Sequence, residues 1–217
     1  MLISGRHRFG RFLAPGVWAA VIWAVFAALW APSDTDQELS PLSLTVSDFA
    51  ALDRGGPIET GMALLGGVSL ALLVAARART AAVRGVPSVL LAVWGLGLVI
   101  AAVVPTDPLT DRLSGPALVH RYASIAAFTA LPAAGLLLAR RLGADPRAGG
   151  TVRCLRLLSW AALGGAAVMA YSAGPGGREL IGLVERVLLG CEVALLGVLG
   201  QHVQRCAAAV AAASDRA

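Results

Sequence analysis

The chain has 217 residues, of which 57% are hydrophobic and 14% charged, with a formal net charge of +5 and a mean hydropathy of +0.74. Soluble domains carry about 25% charged and about 45–50% apolar residues, so an ordinary cytosolic enzyme, a disordered tail and a fibrous repeat are excluded, and an integral membrane protein remains. All 18 basic residues are arginine, and most of them lie between apolar runs; that is a topology pattern rather than a nucleic-acid signature, and without lysine no Schiff-base chemistry is open.

A bilayer core of about 30 Å takes roughly 20 helical residues, and six runs fit. Arg6, Arg8 and Arg11 precede the first, residues 12–31, which contains Trp18, Trp23 and Trp30. Its apolar stretch is long for a signal peptide and no clear small-x-small site follows, so a retained helix is expected. The loop 33–57 is the longest connection and holds Asp34, Asp36, Glu38, Asp48 and Asp53 against Arg54. Loops this long are usually functional or disordered. Within it, Pro41 to Phe49 mixes apolar and hydroxyl residues, which fits a segment lying on the membrane, one folded back over the helices, or a plain solvated loop.

The second run, residues 58–76, opens with Glu59 and is followed by Arg77, Arg79 and Arg84. The third, 87–104, ends in Pro105-Thr106-Asp107-Pro108, where two prolines force the chain out of the helix. The fourth, 116–139, carries His120-Arg121 one turn inside its start, with Ser124 four residues later on the same face. Arg140, Arg141, Arg147 and Arg153 come next. The fifth run is 155–172. The sixth, 180–203, carries Glu185-Arg186 and, seven residues on, Glu192. At 1.5 Å per residue Glu185 lies about 7 Å deep and Glu192 near the midplane. Arg205 and Arg216 follow.

Alternate connections are rich in arginine, while the others hold Arg54, Arg112 and Arg178. This positive-inside pattern gives an all-α, six-transmembrane-helix bundle, a single membrane domain over residues 1–217 with both termini cytoplasmic. Ala63, Gly67, Ala71 and Ala75 on the second helix, and Ala161 with Gly165 on the fifth, form small-residue stripes suited to close helix contact, or simply reflect an alanine-rich chain. No repeat of 20–50 residues and no inverted half-repeat indicates a transporter fold.

Ionisable groups inside a membrane face the bundle interior and find partners. One polar cluster is expected near the outer leaflet, built from Glu59, Asp107, His120, Arg121, Glu185 and Arg186. Within it, Asp107 or Glu59 is expected to pair with Arg121, and Glu185 with Arg121 or Arg186, since arginine's planar fork suits carboxylates. The cluster is either a binding or catalytic site opening outward or an ion-pair clasp that fixes helix order. Glu192 is either a neutral acid bonded to a neighbour or a proton-carrying group. Ser124 beside His120 is read as a helix serine bonded to its own backbone rather than a nucleophile.

His7, His120 and His202 fall on different sides of the membrane, which leaves no histidine-based metal site and no bis-histidine haem. Cys154, Cys191 and Cys206 make no CxxC pair, so neither a disulfide framework nor a zinc ribbon is supported. No cofactor is expected.

The Pro-Thr-Asp turn at 105–107, His120-Arg121 at the start of the next helix, Glu185-Arg186, and the stretch Leu42 to Asp48 together resemble a bacterial six-helix membrane family, catalogued as domain of unknown function 998. The resemblance runs over nearly the whole chain. It implies a cell-membrane location, six helices and a polar site at Asp107, His120 and Arg121, and it implies no activity.

Three functions fit these residues. One is a non-enzymatic membrane protein whose polar cluster binds a ligand or holds the fold. The second is an enzyme acting on a lipid or isoprenoid, with Asp107, Glu185 or His120 as acid or base and Arg121 on an anionic head group. The third is a small proton-linked permease using Glu185 and Glu192, although only Gln201 and His202 extend a polar path below Glu192. Membrane lipid is the expected surrounding partner and nucleic acid is not.

Overall fold

The computed structural model describes residues 22–23, 40–52, 56–107 and 112–214. Of the first expected helix, 12–31, only Ile22 and Trp23 are described, and both are helical; the rest of that run, residues 33–39 with Asp34, Asp36 and Glu38, and Asp53 with Arg54 lie outside the described residues.

Six α-helices follow in the described residues: α1 (Val46–Leu52), α2 (Pro57–Arg79), α3 (Val86–Val103), α4 (Gly115–Leu142), α5 (Gly149–Ala173) and α6 (Ile181–Ser214). Four stretches, Pro57–Arg79, Val86–Val103, Gly115–Leu142 and Pro146–Ala173, are long and apolar enough to cross a membrane. The chain is thus an all-α protein with membrane-type helices. α6 has 34 residues, about 50 Å at 1.5 Å per residue.

Local chemistry sets the boundaries. Proline falls in the first turn of α2, α3 and α4, where its missing N–H costs nothing. Ser114 caps α4 by accepting from Ala117 N at 3.3 Å. Arg77 and Arg79 end α2, and Arg140 and Arg141 end α4, where cations complement the helix dipole. The sixth helix runs well beyond the expected 180–203, because six of residues 207–213 are alanine, the strongest helix former. The fifth starts six residues before the expected Leu155, at Gly149, so Arg153 is helical rather than in a loop.

The long helices run up and down, each packed on the next in sequence, and α6 returns to touch α2 and α4. The common core includes Leu72, Trp94, Leu131, Leu138, Leu155 and Leu196. Trp94 is fully buried and donates Nε1–H to Ser69 Oγ at 3.0 Å, and Ser69 donates on to Leu65 O at 2.6 Å. The small residues that bring α2 and α3 together differ from the expected stripe. Ala63 and Gly67 face outward, with nothing near Gly67. Gly66 is the contact: a Cβ there would lie 2.7 Å from Gly95 O. Of the expected stripe, Ala75 does lie in the core, but at the Gly66 level the contact falls one residue from Gly67, a 100° rotation that spacing of alanines alone does not resolve. On α5, Gly165 does meet α6 at Leu188, while Ala161 is exposed.

One end of the bundle gathers the arginine-bearing turns. There Arg141 Nη1 donates to Ala82 O at 3.0 Å and also to Arg84 O, tying the α2–α3 turn to the end of α4. The opposite end, the cap end, carries residues 40–52, folded back over the helices.

Candidate functional site

The cap begins with a turn at Ser40, whose carbonyl accepts from Ser43 N at 3.1 Å and Leu44 N at 3.0 Å. The helix α1 that follows is set by a reciprocal pair: Asp48 N donates to Thr45 Oγ1 at 3.0 Å, and Thr45 N donates to Asp48 Oδ2 at 2.8 Å. This is a capping box with aspartate in place of glutamate. It turns Val46, Phe49 and Ala50 inward, where they form a small apolar cluster with Ile58 and are flanked by Met62 and Leu189. Phe49 is wholly buried.

Four residues of α6, Gly182, Leu183, Glu185 and Arg186, hold the cap by polar contacts. Gly182 N and Leu183 N both donate to Leu42 O, at 3.0 and 3.2 Å, so the cap satisfies two of the N–H groups that every helix start leaves open. Any side chain at Gly182 would run into the Leu44 and Pro41 carbonyls; glycine is what lets the two backbones meet. Arg186 Nη1 donates to Pro41 O at 2.7 Å, Leu44 O at 2.9 Å and Gly182 O at 3.0 Å, and the guanidinium stands 5.5 Å over the Phe49 ring. Glu185, 2% exposed, accepts the backbone N–H of Val46, the first residue of α1.

Two further contacts tie the cap to other helices. Arg178, in the turn before α6, pairs with Asp48 at 2.6 Å. His120 on α4 is buried, with Nδ1 3.1 Å from Val104 O and Nε2 3.2 Å from Ser47 Oγ. A carbonyl only accepts, so Nδ1 carries the proton, and in the neutral ring Nε2 accepts from the Ser47 hydroxyl. His120 therefore links the end of α3, the start of α4 and the cap.

The structure brings together three of the six residues expected to cluster: His120, Glu185 and Arg186 all engage residues 41–47. Among the described residues, Asp107 and Arg121 take no part in that engagement. Asp107 accepts from Ser114 N at 2.6 Å and Ser114 Oγ at 3.0 Å, which closes the α3–α4 connection. Arg121 is exposed and has no ion pair among the described residues. Glu59 is half-buried in the first turn of α2. The expected carboxylate–arginine pairs centred on Arg121 are not formed, because Arg121, one position beyond His120, is turned about 100° around α4 from the ring that enters the bundle. Ser124 Oγ donates to His120 O at 3.0 Å, the backbone-bonded helix serine expected.

Glu192 stands alone. It is completely buried, and neither carboxylate oxygen has a hydrogen-bond partner among the described residues.

Sequence reasoning missed Thr45, Ser47, Phe49 and Arg178. The signal for the first was present: Thr45-x-x-Asp48 ahead of Phe49-Ala50 is a helix start followed by an apolar face. Nothing in spacing pointed to Arg178, which reaches Asp48 across 130 residues of sequence.

Residues 6–202 match the model of a family described as "Protein of unknown function (DUF998)". No curated protein and no solved structure matches the chain.

Proposed function

The chain belongs to the DUF998 family, and from that premise we propose that it is a six-span, non-enzymatic cell-membrane protein whose extracytoplasmic cap is clasped to the bundle and serves as its recognition element. The run 12–31 and α6 join the four apolar helices as spans. The arginine-bearing end lies in the cytoplasm, as the positive-inside bias favours, which puts the cap outside. Bilayer lipid covers the outward apolar residues, among them Val74, Val89, Leu157 and Trp160.

One observation carries the clasp reading: the candidate acid–base groups Asp107, Glu185 and His120 each already hold a backbone or side-chain partner within the protein. A general acid or base must reach the substrate proton. Groups committed to Val46, Ser47, Val104 and Ser114 are better placed to position a segment than to turn over a lipid or isoprenoid.

The test is Glu185→Ala and His120→Ala, followed by limited proteolysis from the extracytoplasmic side. The reading expects cleavage within 40–52 to rise in both variants while the spans stay intact. Unchanged protection in both, with the protein folded, would free these groups for chemistry and overturn the clasp.

A further inference from the structure

Ser159 on α5 is the other buried side chain without a partner. Among the described residues, the buried side-chain polar atoms that lack a hydrogen bond are Ser159 Oγ and the two carboxylate oxygens of Glu192. Both residues are 0% exposed. Helix hydroxyls usually return their proton to a carbonyl one turn back, and Ser69, Ser124, Thr60 and Thr129 all do so here. Ser159 does not.

Packing places the two orphans at neighbouring levels of the same helix seam. Glu192 belongs to the inward stripe of α6 formed with Glu185, Leu188, Leu195 and Leu199, all at most 3% exposed. Within that stripe, Leu188 meets Gly165 of α5. One step further along, Gly135 of α4 is pressed against both Leu195 and Ser159 Oγ. Glu192 lies between these two levels, where α4, α5 and α6 converge. It is eleven residues inside α6, about 16 Å from its start, the middle of a core about 30 Å thick.

Among the described residues no countercharge reaches this layer. At its depth, residues 64–74 of α2, 126–139 of α4 and 157–170 of α5 contain no ionisable side chain. On α6 itself the titratable or charged neighbours are Cys191 beside it, Arg186 and Glu185 about 9 and 10 Å toward the cap, where Arg186 donates to cap carbonyls, and His202 about 15 Å toward the other end. An unpaired carboxylate charge in such surroundings is far costlier than the neutral acid. The acid form in turn needs an acceptor for its proton and leaves its carbonyl oxygen open, and Ser159, one level along on α5, is the other buried side chain among the described residues whose hydroxyl has no partner.

We propose that Glu192, with Ser159, forms a proton-binding site buried in the membrane interior. The assignment rests on α6 spanning the bilayer and is independent of the cap. Its ligand is the proton itself; the sodium ion is the competing occupant that carboxylate and hydroxyl oxygens would also suit.

The experiment uses the full chain in lipid vesicles and dicyclohexylcarbodiimide, an apolar reagent. A protonated carboxyl adds across one C=N bond to give an O-acylisourea, which rearranges to a stable N-acylurea where water is absent; nothing leaves. Mass mapping should find the adduct at Glu192, forming at least tenfold faster at pH 6 than at pH 9, unaffected by sodium at fixed pH, and absent in Glu192→Gln. A water-soluble carbodiimide should not label Glu192. Ser159→Ala, which loses only an oxygen, should shift the pH midpoint of labelling. No adduct at Glu192 in the folded protein, or equal labelling by the water-soluble reagent, would overturn the proposal. Protection by sodium would replace the proton as ligand, and an unmoved midpoint in Ser159→Ala would remove Ser159 from the site. Cap proteolysis reports separately on the clasp, so failure of either reading is distinguishable from failure of the other.

Discussion

Phe49→Ala is the sharpest perturbation of the cap. Phe49 is fully buried beneath α1, beside Val46, Ala50 and Ile58, with the Arg186 guanidinium over its ring. Truncating a buried phenylalanine costs about 3–5 kcal/mol, from lost transfer energy and the cavity left behind. The loss falls on docking of the cap, because the long helices pack through a separate core. At about 1.4 kcal/mol per tenfold change, even 3 kcal/mol raises the fraction of undocked cap by roughly two orders of magnitude. Ala50 is 2% exposed in the docked cap, so a single cysteine placed there, in a chain with Cys154, Cys191 and Cys206 replaced by alanine, reports opening through its rate of reaction with a membrane-impermeant maleimide. The account expects Phe49→Ala to accelerate labelling by about a hundredfold or more without loss of the bundle. A rate within twofold of the parent would show that Phe49 does not anchor the segment, and the docking argument would fall.

Other outcomes follow from the same contacts. Glu185→Ala leaves the Val46 N–H buried and unpaired, a cost of about 1–3 kcal/mol, whereas Glu185→Gln keeps an acceptor oxygen; cap labelling should rise much more in the first than in the second. Gly182→Ala drives a methyl into the Pro41 and Leu44 carbonyls and should expose the cap to protease as strongly as Phe49→Ala does. Arg178→Ala removes a pair whose arginine is 43% exposed; exposed pairs contribute about 0–1 kcal/mol, so cap labelling should change by less than about tenfold and depend on salt only in the parent. Arg121→Ala should leave thermal unfolding of the detergent-solubilised protein unchanged, since Arg121 is exposed and has no ion pair among the described residues.

The helices of the bundle were legible because apolar runs of membrane length are a long-range compositional signal that no local detail can mask. Residues 58–76 and 87–104 fall within about three residues of α2 and α3. Rotation about each helix axis was not legible to the same degree. His120 and Arg121 are neighbours in sequence, yet one enters the bundle and the other faces out, and a two-residue motif does not say which. Gly66 rather than Gly67 is the α2–α3 contact for the same reason. The inward placement of Glu185 and Glu192 was legible, because seven residues is nearly two full turns and the cost of a carboxylate facing lipid fixes the side. The loop 33–57 was the least legible. Its residues left a surface segment, a fold-back over the helices and a solvated loop all open; the four-residue box from Thr45 to Asp48, which folds part of it back as α1, is too short a signal to choose between them.

The account stands on the cap lying outside the cell, opposite the arginine-bearing turns. Single cysteines at Leu52, which is exposed on the cap, and at Ala144, exposed in the α4–α5 turn, in the same cysteine-free background, test this directly in intact cells. The impermeant maleimide should label the cysteine at 52 at once and the one at 144 only after the membrane is permeabilised. Labelling at 144 in sealed cells, with 52 protected until permeabilisation, would contradict the account.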